Sequence, residues 1–100
     1  KALPYTYKTI RGLLTDKARW TKGNCALDKQ GEVCWVESDE ASCFCLFGAI
    51  NKVYKTDEYA RVYDKLTKHI QSTTCFCSMP EFNDNSTHEE VLALVMELKV

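Results

Sequence analysis

The run of apolar residues at positions 43–50, reading CFCLFGAI, has no charged or strongly polar side chain. A helix that is apolar on every side is a buried helix. Asp39 and Glu40 precede the run and Lys52 follows it, which is the charge order that a helix dipole favours. The pattern therefore predicts a buried central helix over residues 39–54.

Three further segments have apolar residues at helical spacing. The first spans about residues 5–18, the second runs for about fifteen residues after Thr56, and the third begins at Thr87. Thr87 and Glu90 have the spacing of a capping box, which marks a helix start. Residues 72–85 lack periodicity and are predicted to form a loop.

The pattern changes between positions 25 and 36, where a turn signal at residues 28–31 separates two short segments rich in β-forming residues. A short β-hairpin at about 25–36 is the simplest interpretation. The predicted fold class is therefore mainly α, with about four helices arranged around the buried central helix 39–54, and one short β-hairpin. Two strands are marginal by themselves, so the hairpin is expected to pack on the helices.

The composition is consistent with this fold and limits the classes of function that we expect. The chain has 100 residues, of which 45% are hydrophobic and 27% charged, so we expect a single globular domain over 1–100. No apolar run reaches the roughly eighteen residues that a membrane span needs. We expect a cytoplasmic protein without a membrane partner. The net charge of −1 makes nucleic acid an unexpected ligand.

Six cysteines, at positions 25, 34, 43, 45, 75 and 77, allow three interpretations. Without a secretory context we favour reduced thiols that are mostly core residues, with disulfides and metal binding as alternatives. A zinc site would draw on Cys43, Cys45, Cys75 and Cys77. Residues two apart point to opposite sides of a strand or helix, which argues against both members of either pair binding one ion.

A thiol enzyme is a further alternative. Cys45 with Asp84 and His88 has the residue types of a nucleophile, an orienting group and a base, and Cys43 is a second candidate nucleophile. Such chemistry needs a stabilised thiolate. We expect Cys45 to lie more than a turn inside the central helix, where it would be inert, and His88 to be exposed.

Three clusters give a family resemblance. They are Trp20-Thr21-Lys22-Gly23, then Cys45-Leu46-Phe47-Gly48-Ala49, then Phe82-Asn83-Asp84 ahead of Thr87-His88-Glu89-Glu90-Val91. In this order they resemble a small family of uncharacterised proteins, a domain of unknown function found in bacteria and some of their phages. The family has W-T-x-G, C-L-x-G-A and aromatic-N-D motifs. This chain has Phe82 where Trp is usual, and its other five cysteines are not family features. The resemblance implies a fold and no assigned reaction.

The sequence thus predicts a small non-enzymatic domain, possessing no cofactor, that binds another macromolecule. A protein partner is expected, and a bacterial or phage accessory role fits the resemblance. The predicted binding residues are Trp20, Asn83, Asp84 and His88, grouped at one end of the central helix. A hydrolase or transferase using Cys43 or Cys45 with His88, and a zinc-binding module, are the alternatives.

Overall fold

The computed structural model of the chain describes residues 3–100 and is mainly α-helical over that range, as predicted. Its elements in chain order are α1 (Ile10–Leu14), a short 3₁₀ helix (Lys17–Arg19), β1 (Ala26–Leu27), β2 (Cys43–Phe44), α2 (Leu46–Val53), α3 (Thr56–Thr73), α4 (Met79–Asp84) and α5 (His88–Leu98). Lys1 and Ala2, which begin the predicted domain 1–100, lie outside the described residues.

The first helix is shorter than the predicted 5–18. The Thr9 hydroxyl accepts a hydrogen bond from Gly12 N–H at 3.1 Å and so caps α1 at its start. The helix ends after five residues, and Asp16 caps the separate 3₁₀ helix that follows. The predicted apolar face is nevertheless correct, since Ile10, Leu13 and Leu14 are all fully buried.

The β-sheet uses a partner strand other than the predicted one. Ala26 pairs with Phe44 and Leu27 with Cys43 in an antiparallel ladder, whereas Leu27 makes only an isolated bridge to Val33. The turn at 28–31 does form, with Gly31 at φ +83° and its N–H donating to Asp28 O at 3.0 Å. The chain then continues past the turn, so the second strand of the sheet lies at 43–44 and not within 25–36.

The central helix is half as long as the predicted 39–54. Residues 43 and 44 form β2, and α2 begins only at Leu46, with Cys45 as its extended N-cap residue. An apolar run of eight residues satisfies both a buried strand and a buried helix, so periodicity alone did not separate them. Burial was predicted correctly, because Leu46, Gly48, Ala49 and Ile50 of α2 are all buried.

The C-terminal half contains one helix more than predicted. Within the predicted loop 72–85, the Ser78 hydroxyl accepts from Glu81 N–H at 3.3 Å, and α4 follows with Pro80 in its first turn. The capping box of α5 forms as predicted. The Thr87 hydroxyl accepts from Glu90 N–H at 3.1 Å, and a Glu90 carboxylate oxygen accepts from Thr87 N–H at 2.8 Å.

The buried side chains form one cluster, and α2 packs against α1, α3 and α4 within it. This position leaves the N-terminus of α2 beside β2 and α4, where the candidate site lies. Within residues 3–100, no helix has the combined length and apolar character that crossing a membrane requires.

Candidate functional site at the start of the central helix

Asn83 lies at the centre of the site and is completely buried. Its Oδ1 accepts hydrogen bonds from the Trp20 indole Nε1–H at 2.7 Å and from Leu46 N–H at 3.0 Å. Its Nδ2 group donates to Thr21 O at 3.1 Å and to Asp84 Oδ1 at 3.2 Å. A side-chain amide has two lone pairs and two N–H bonds, so internal contacts use its full hydrogen-bonding capacity.

Asp84, the residue after Asn83, holds the turn at Gly23 near the start of α2. Its Oδ1 accepts from Gly23 N–H at 2.9 Å. Gly23 has φ +82°, a left-handed conformation that glycine adopts without steric cost. The last residue of the Trp20–Gly23 motif therefore aims its N–H group at the second residue of the Asn83-Asp84 motif.

His88 is 8% exposed, which corrects the expectation of a surface residue. Its Nε2 lies 2.6 Å from Leu14 O, and because a carbonyl oxygen can only accept, this nitrogen carries the proton. The ring also packs against Trp20, with centroids 5.8 Å apart and planes at 51°. His88 thus links α5 to α1 and supports the indole that Asn83 binds.

Cys45 is the residue that begins α2, and not one deep inside it. Its Sγ accepts from Gly48 N–H at 3.3 Å, and its own N–H donates to Cys25 O at 3.3 Å. A Cβ added to Gly48 would lie 2.0 Å from Cys25 O, so only glycine allows the chain at Cys25 to approach α2 this closely.

The three motifs that sequence analysis singled out therefore meet at one place. Trp20 and Gly23 reach Asn83 and Asp84, and Asn83 in turn holds the first N–H of α2. The four predicted binding residues Trp20, Asn83, Asp84 and His88 are brought together at the end of the central helix that the sequence suggested. We call this hydrogen-bonded group, with Leu46 and Gly23, the helix-start cluster.

Burial disfavours catalysis by Cys43 or Cys45, the two candidate nucleophiles. Burial raises the pKa of the Cys45 thiol to about 11, more than the hydrogen bond from Gly48 N–H lowers it. Burial also raises the pKa of Cys43 above its ordinary value. The Nε2–H of His88 is directed at Leu14 O. This nitrogen is therefore not free to act as the base that generates a thiolate.

The four cysteines of the alternative zinc site are not gathered around one point, as the ligands of a structural zinc ion are. Cys43 is half-buried in β2, Cys45 is buried at the start of α2, and Cys75 and Cys77 are exposed between α3 and α4. All six cysteines are free thiols. Over residues 3–100, no three or more His, Cys, Asp or Glu side chains are grouped as metal ligands would be.

Sequence analysis missed the most exposed aromatic residue of the described chain. Trp35 is 82% exposed and Val33 is 69% exposed, in the segment between the turn at 28–31 and β2. Cys34 and Val36, the alternate residues, pack against the core. The alternation of residues 33–36 was visible as β-type sequence, but it does not reveal which face is covered.

Comparison with known protein families gives a match over nearly the whole chain. The sequence model of a family of unknown function, DUF6197, matches residues 3–98. No curated protein and no solved structure matches the chain. The matched range contains every member of the helix-start cluster, and the resemblance to a domain of unknown function is confirmed. The chain belongs to DUF6197, a family of unknown function.

Proposed function

We propose that this domain acts without catalysis, by binding a protein partner through the exposed side chains of Val33 and Trp35. The observation that carries the proposal is the 82% exposure of Trp35. Tryptophan is a large apolar side chain and is enriched among the residues that contribute most binding energy at protein interfaces. Exposing it to water costs the isolated domain free energy that a partner would recover.

The segment that carries these side chains is held in place by the fold. Asp28 Oδ1 accepts from Gln30 N–H and from Glu32 N–H, both at 2.9 Å, which fixes the preceding turn. Further along, Cys34 N–H donates to Ala26 O at 3.2 Å. Because these hydrogen bonds hold the backbone on both sides of Val33, less backbone ordering has to occur on binding.

The acidic side chains of this segment support a basic partner surface. Residues 28–40 contain five acidic side chains and one basic one, Lys29. Glu32 precedes the exposed pair and Glu37 follows it, and both are exposed. Opposite charges around an apolar contact increase the association rate and disfavour wrong partners. The partner surface that fits is an apolar patch bordered by lysine and arginine.

The helix-start cluster has a different role in this proposal. The amide of Asn83 and the Nε2–H of His88 are already bonded inside the domain, so a ligand would have to break those contacts. Trp20 is half-buried and Asp84 is exposed, so their outer edges remain available to a partner. We assign the cluster primarily to holding the fold and the Val33–Trp35 segment to recognition.

The two alternatives receive less support. A hydrolase or transferase using Cys43 or Cys45 with His88 would need a lowered thiol pKa, and burial raises the pKa of both thiols. A zinc module would need convergent ligands, and the Cys75 and Cys77 thiols are exposed on the segment ahead of α4. Six free thiols are compatible with the reducing cytoplasm in which we place the binding role.

Affinity capture from the source cell followed by reconstitution tests the proposal. The wild-type domain, Trp35→Ser and Met96→Ser are used in parallel, because Met96 is an exposed apolar residue on α5 at 55% exposure. A protein retained by the wild type and by Met96→Ser, lost with Trp35→Ser, and bound again when purified supports the proposal. Equal recovery with all three domains contradicts it.

The charge of the partner is tested separately with the same purified protein. Glu32→Gln combined with Glu37→Gln should weaken binding several-fold at low salt and reduce the salt dependence of the affinity. If Trp35→Ser abolishes binding but the variant with Glu32→Gln and Glu37→Gln binds as tightly as the wild type, the proposed role of Trp35 stands and the proposed basic character of the partner is wrong.

A further inference from the structure

The register of the small sheet places two cysteines opposite each other. Ala26 pairs with Phe44 and Leu27 with Cys43, so the same antiparallel register continued by one residue puts Cys25 across from Cys45. The Cys45 N–H donates to Cys25 O at 3.3 Å, so a hydrogen bond joins these two residues directly beyond the paired strands. Two free thiols therefore lie next to the last paired residues of the sheet.

The two side chains are neighbours, since the Cys25 thiol, after burial, helps to raise the pKa of Cys45. Residues opposite each other in an antiparallel ladder have Cα atoms about 4.5–5.5 Å apart. Disulfides form most often when the Cα atoms are about 5.5–6 Å apart, and a separation beyond about 7 Å excludes them. The backbone at Cys25 also lies close to α2, since a Cβ atom added to Gly48 would lie 2.0 Å from Cys25 O.

Access to this pair comes through a small surface cleft. The cleft has a volume of about 90 Å³ and is lined by both cysteines together with Gly23, Phe47 and Asp84. Cys25 is exposed, whereas Cys45 is only 5% exposed behind it. A small polar oxidant can therefore reach Cys25 without unfolding the chain, and Cys45 is the thiol placed to react next.

We propose that Cys25 and Cys45 form an oxidisable pair, in which a hydroperoxide converts Cys25 to a sulfenic acid and Cys45 then closes an intramolecular disulfide. In the first step the Cys25 sulfur attacks the peroxide, one oxygen is transferred to sulfur, and the other leaves as water for hydrogen peroxide. In the second, the Cys45 sulfur attacks the Cys25 sulfur, the S–O bond breaks, and a second water leaves. Two thiols lose two hydrogens and two electrons, and one peroxide becomes two waters.

The chemistry of Cys45 sets the pace of the second step. Attack requires the thiolate, and burial raises the Cys45 pKa to about 11, so the ring closure is slow at neutral pH and accelerates as the pH rises. The product would tie the turn that contains Gly23 covalently to the start of α2. This inference is independent of the proposed protein binding, since it concerns residues outside the Val33–Trp35 segment.

The experiment treats the fully reduced protein with dilute hydrogen peroxide at pH 7 and pH 9, with and without dimedone, a trap for sulfenic acids. Mass spectrometry of a digest prepared without reductant then identifies the products. We expect dimedone on Cys25 at pH 7 and, without the trap, a peptide joining Cys25 to Cys45 that forms faster at pH 9. Cys25→Ser should lose both products, while Cys75→Ser with Cys77→Ser should retain them.

The proposal fails under three results, each distinguishable in the same digest. One is a principal disulfide that joins any other two cysteines. Another is oxidation of Cys25 to sulfinic acid at pH 9 without a bond to Cys45. The third is a disulfide between two protein molecules as the main product. Because the linked residues are read directly from peptides of the wild-type chain, these outcomes do not depend on whether a variant folds.

Discussion

The indole of Trp20 donates to the side chain of Asn83 at 2.7 Å, across 63 positions of the sequence. The same Asn83 oxygen accepts Leu46 N–H at 3.0 Å. One buried atom therefore joins the N-terminal segment, the first N–H group of α2 and the end of α4. The motif that begins at Trp20 and the motif that contains Asn83 are far apart in the sequence, and this hydrogen bond joins them directly.

Replacing Asn83 with alanine should destabilise the domain severely. The change removes four hydrogen bonds and leaves Trp20 Nε1 and Leu46 N–H without their partner. Each polar group left unpaired inside a protein costs about 1–3 kcal/mol, so we expect a loss of about 3 kcal/mol or more in the free energy of unfolding. Urea denaturation followed by circular dichroism measures it.

The matched control is Asn85→Ala, two residues away. Asn85 is exposed, and its Nδ2 donates to Glu81 O at 2.9 Å on the surface of α4. We expect this variant to lose at most about 1 kcal/mol. Equal effects of the two substitutions would show that the Asn83 contacts do not hold the fold.

Gly48→Ala should also destabilise, for a steric reason. The added methyl group would lie 2.0 Å from the backbone oxygen of Cys25, which cannot move aside as a flexible side chain could. We expect a cost of at least about 2 kcal/mol. Gly12→Ala in α1 is the control, since its nearest neighbour is the Thr9 side chain at 3.4 Å. That variant should be neutral or gain up to about 1 kcal/mol from helix propensity. Comparable unfolding midpoints for the two variants would refute the close approach at Gly48.

These contacts explain which parts of the fold the sequence could predict. The α5 start was predicted because Thr87 and Glu90 act locally, three residues apart. The α3 helix was predicted from its own apolar face, with Val62, Leu66 and Ile70 buried. Both signals are contained within a single element, which is where periodicity and capping rules apply.

The failures involve partners that are distant in the sequence. Residues 43–50 are apolar throughout, and only the pairing of β2 with β1 decides that Cys43 and Phe44 are strand residues. The sequence analysis placed Trp20 and Asn83 together at one end of the central helix, whereas it expected His88 to be exposed and no local pattern predicted its burial. The Cys25–Cys45 pair was missed because the strand partner was misplaced. Trp35 lies within the predicted hairpin. Whether its side chain is exposed depends on the strand pairing, which was predicted incorrectly.

Alkaline pH should destabilise the domain through Cys45. The thiol has an ordinary pKa of 9.0 and a folded-state pKa of about 11, so the neutral form is favoured by folding. Its contribution is fully present below pH 9 and is lost as the pH rises towards 11. The shift corresponds to about 2–3 kcal/mol.

Urea unfolding between pH 8 and pH 11 measures this loss under reducing conditions. Cys45→Ala should be less stable at pH 8 because it lacks the helix cap, yet its stability should fall less steeply with pH than that of the wild type. The other groups with raised pKa values, such as Tyr54, remain in both proteins and cancel in the comparison. Parallel pH profiles would contradict the assignment to Cys45.

The central claim is that recognition and folding use separate residues, and the affinity of Trp35→Ser for the purified partner tests it most directly. Trp35 is 82% exposed, so its replacement should change the free energy of unfolding by no more than about 0.5 kcal/mol. Removal of an interface tryptophan should cost at least about 2 kcal/mol of binding, or roughly thirty-fold in Kd by calorimetric titration. A folded Trp35→Ser domain that binds the partner as tightly as the wild type would contradict the account.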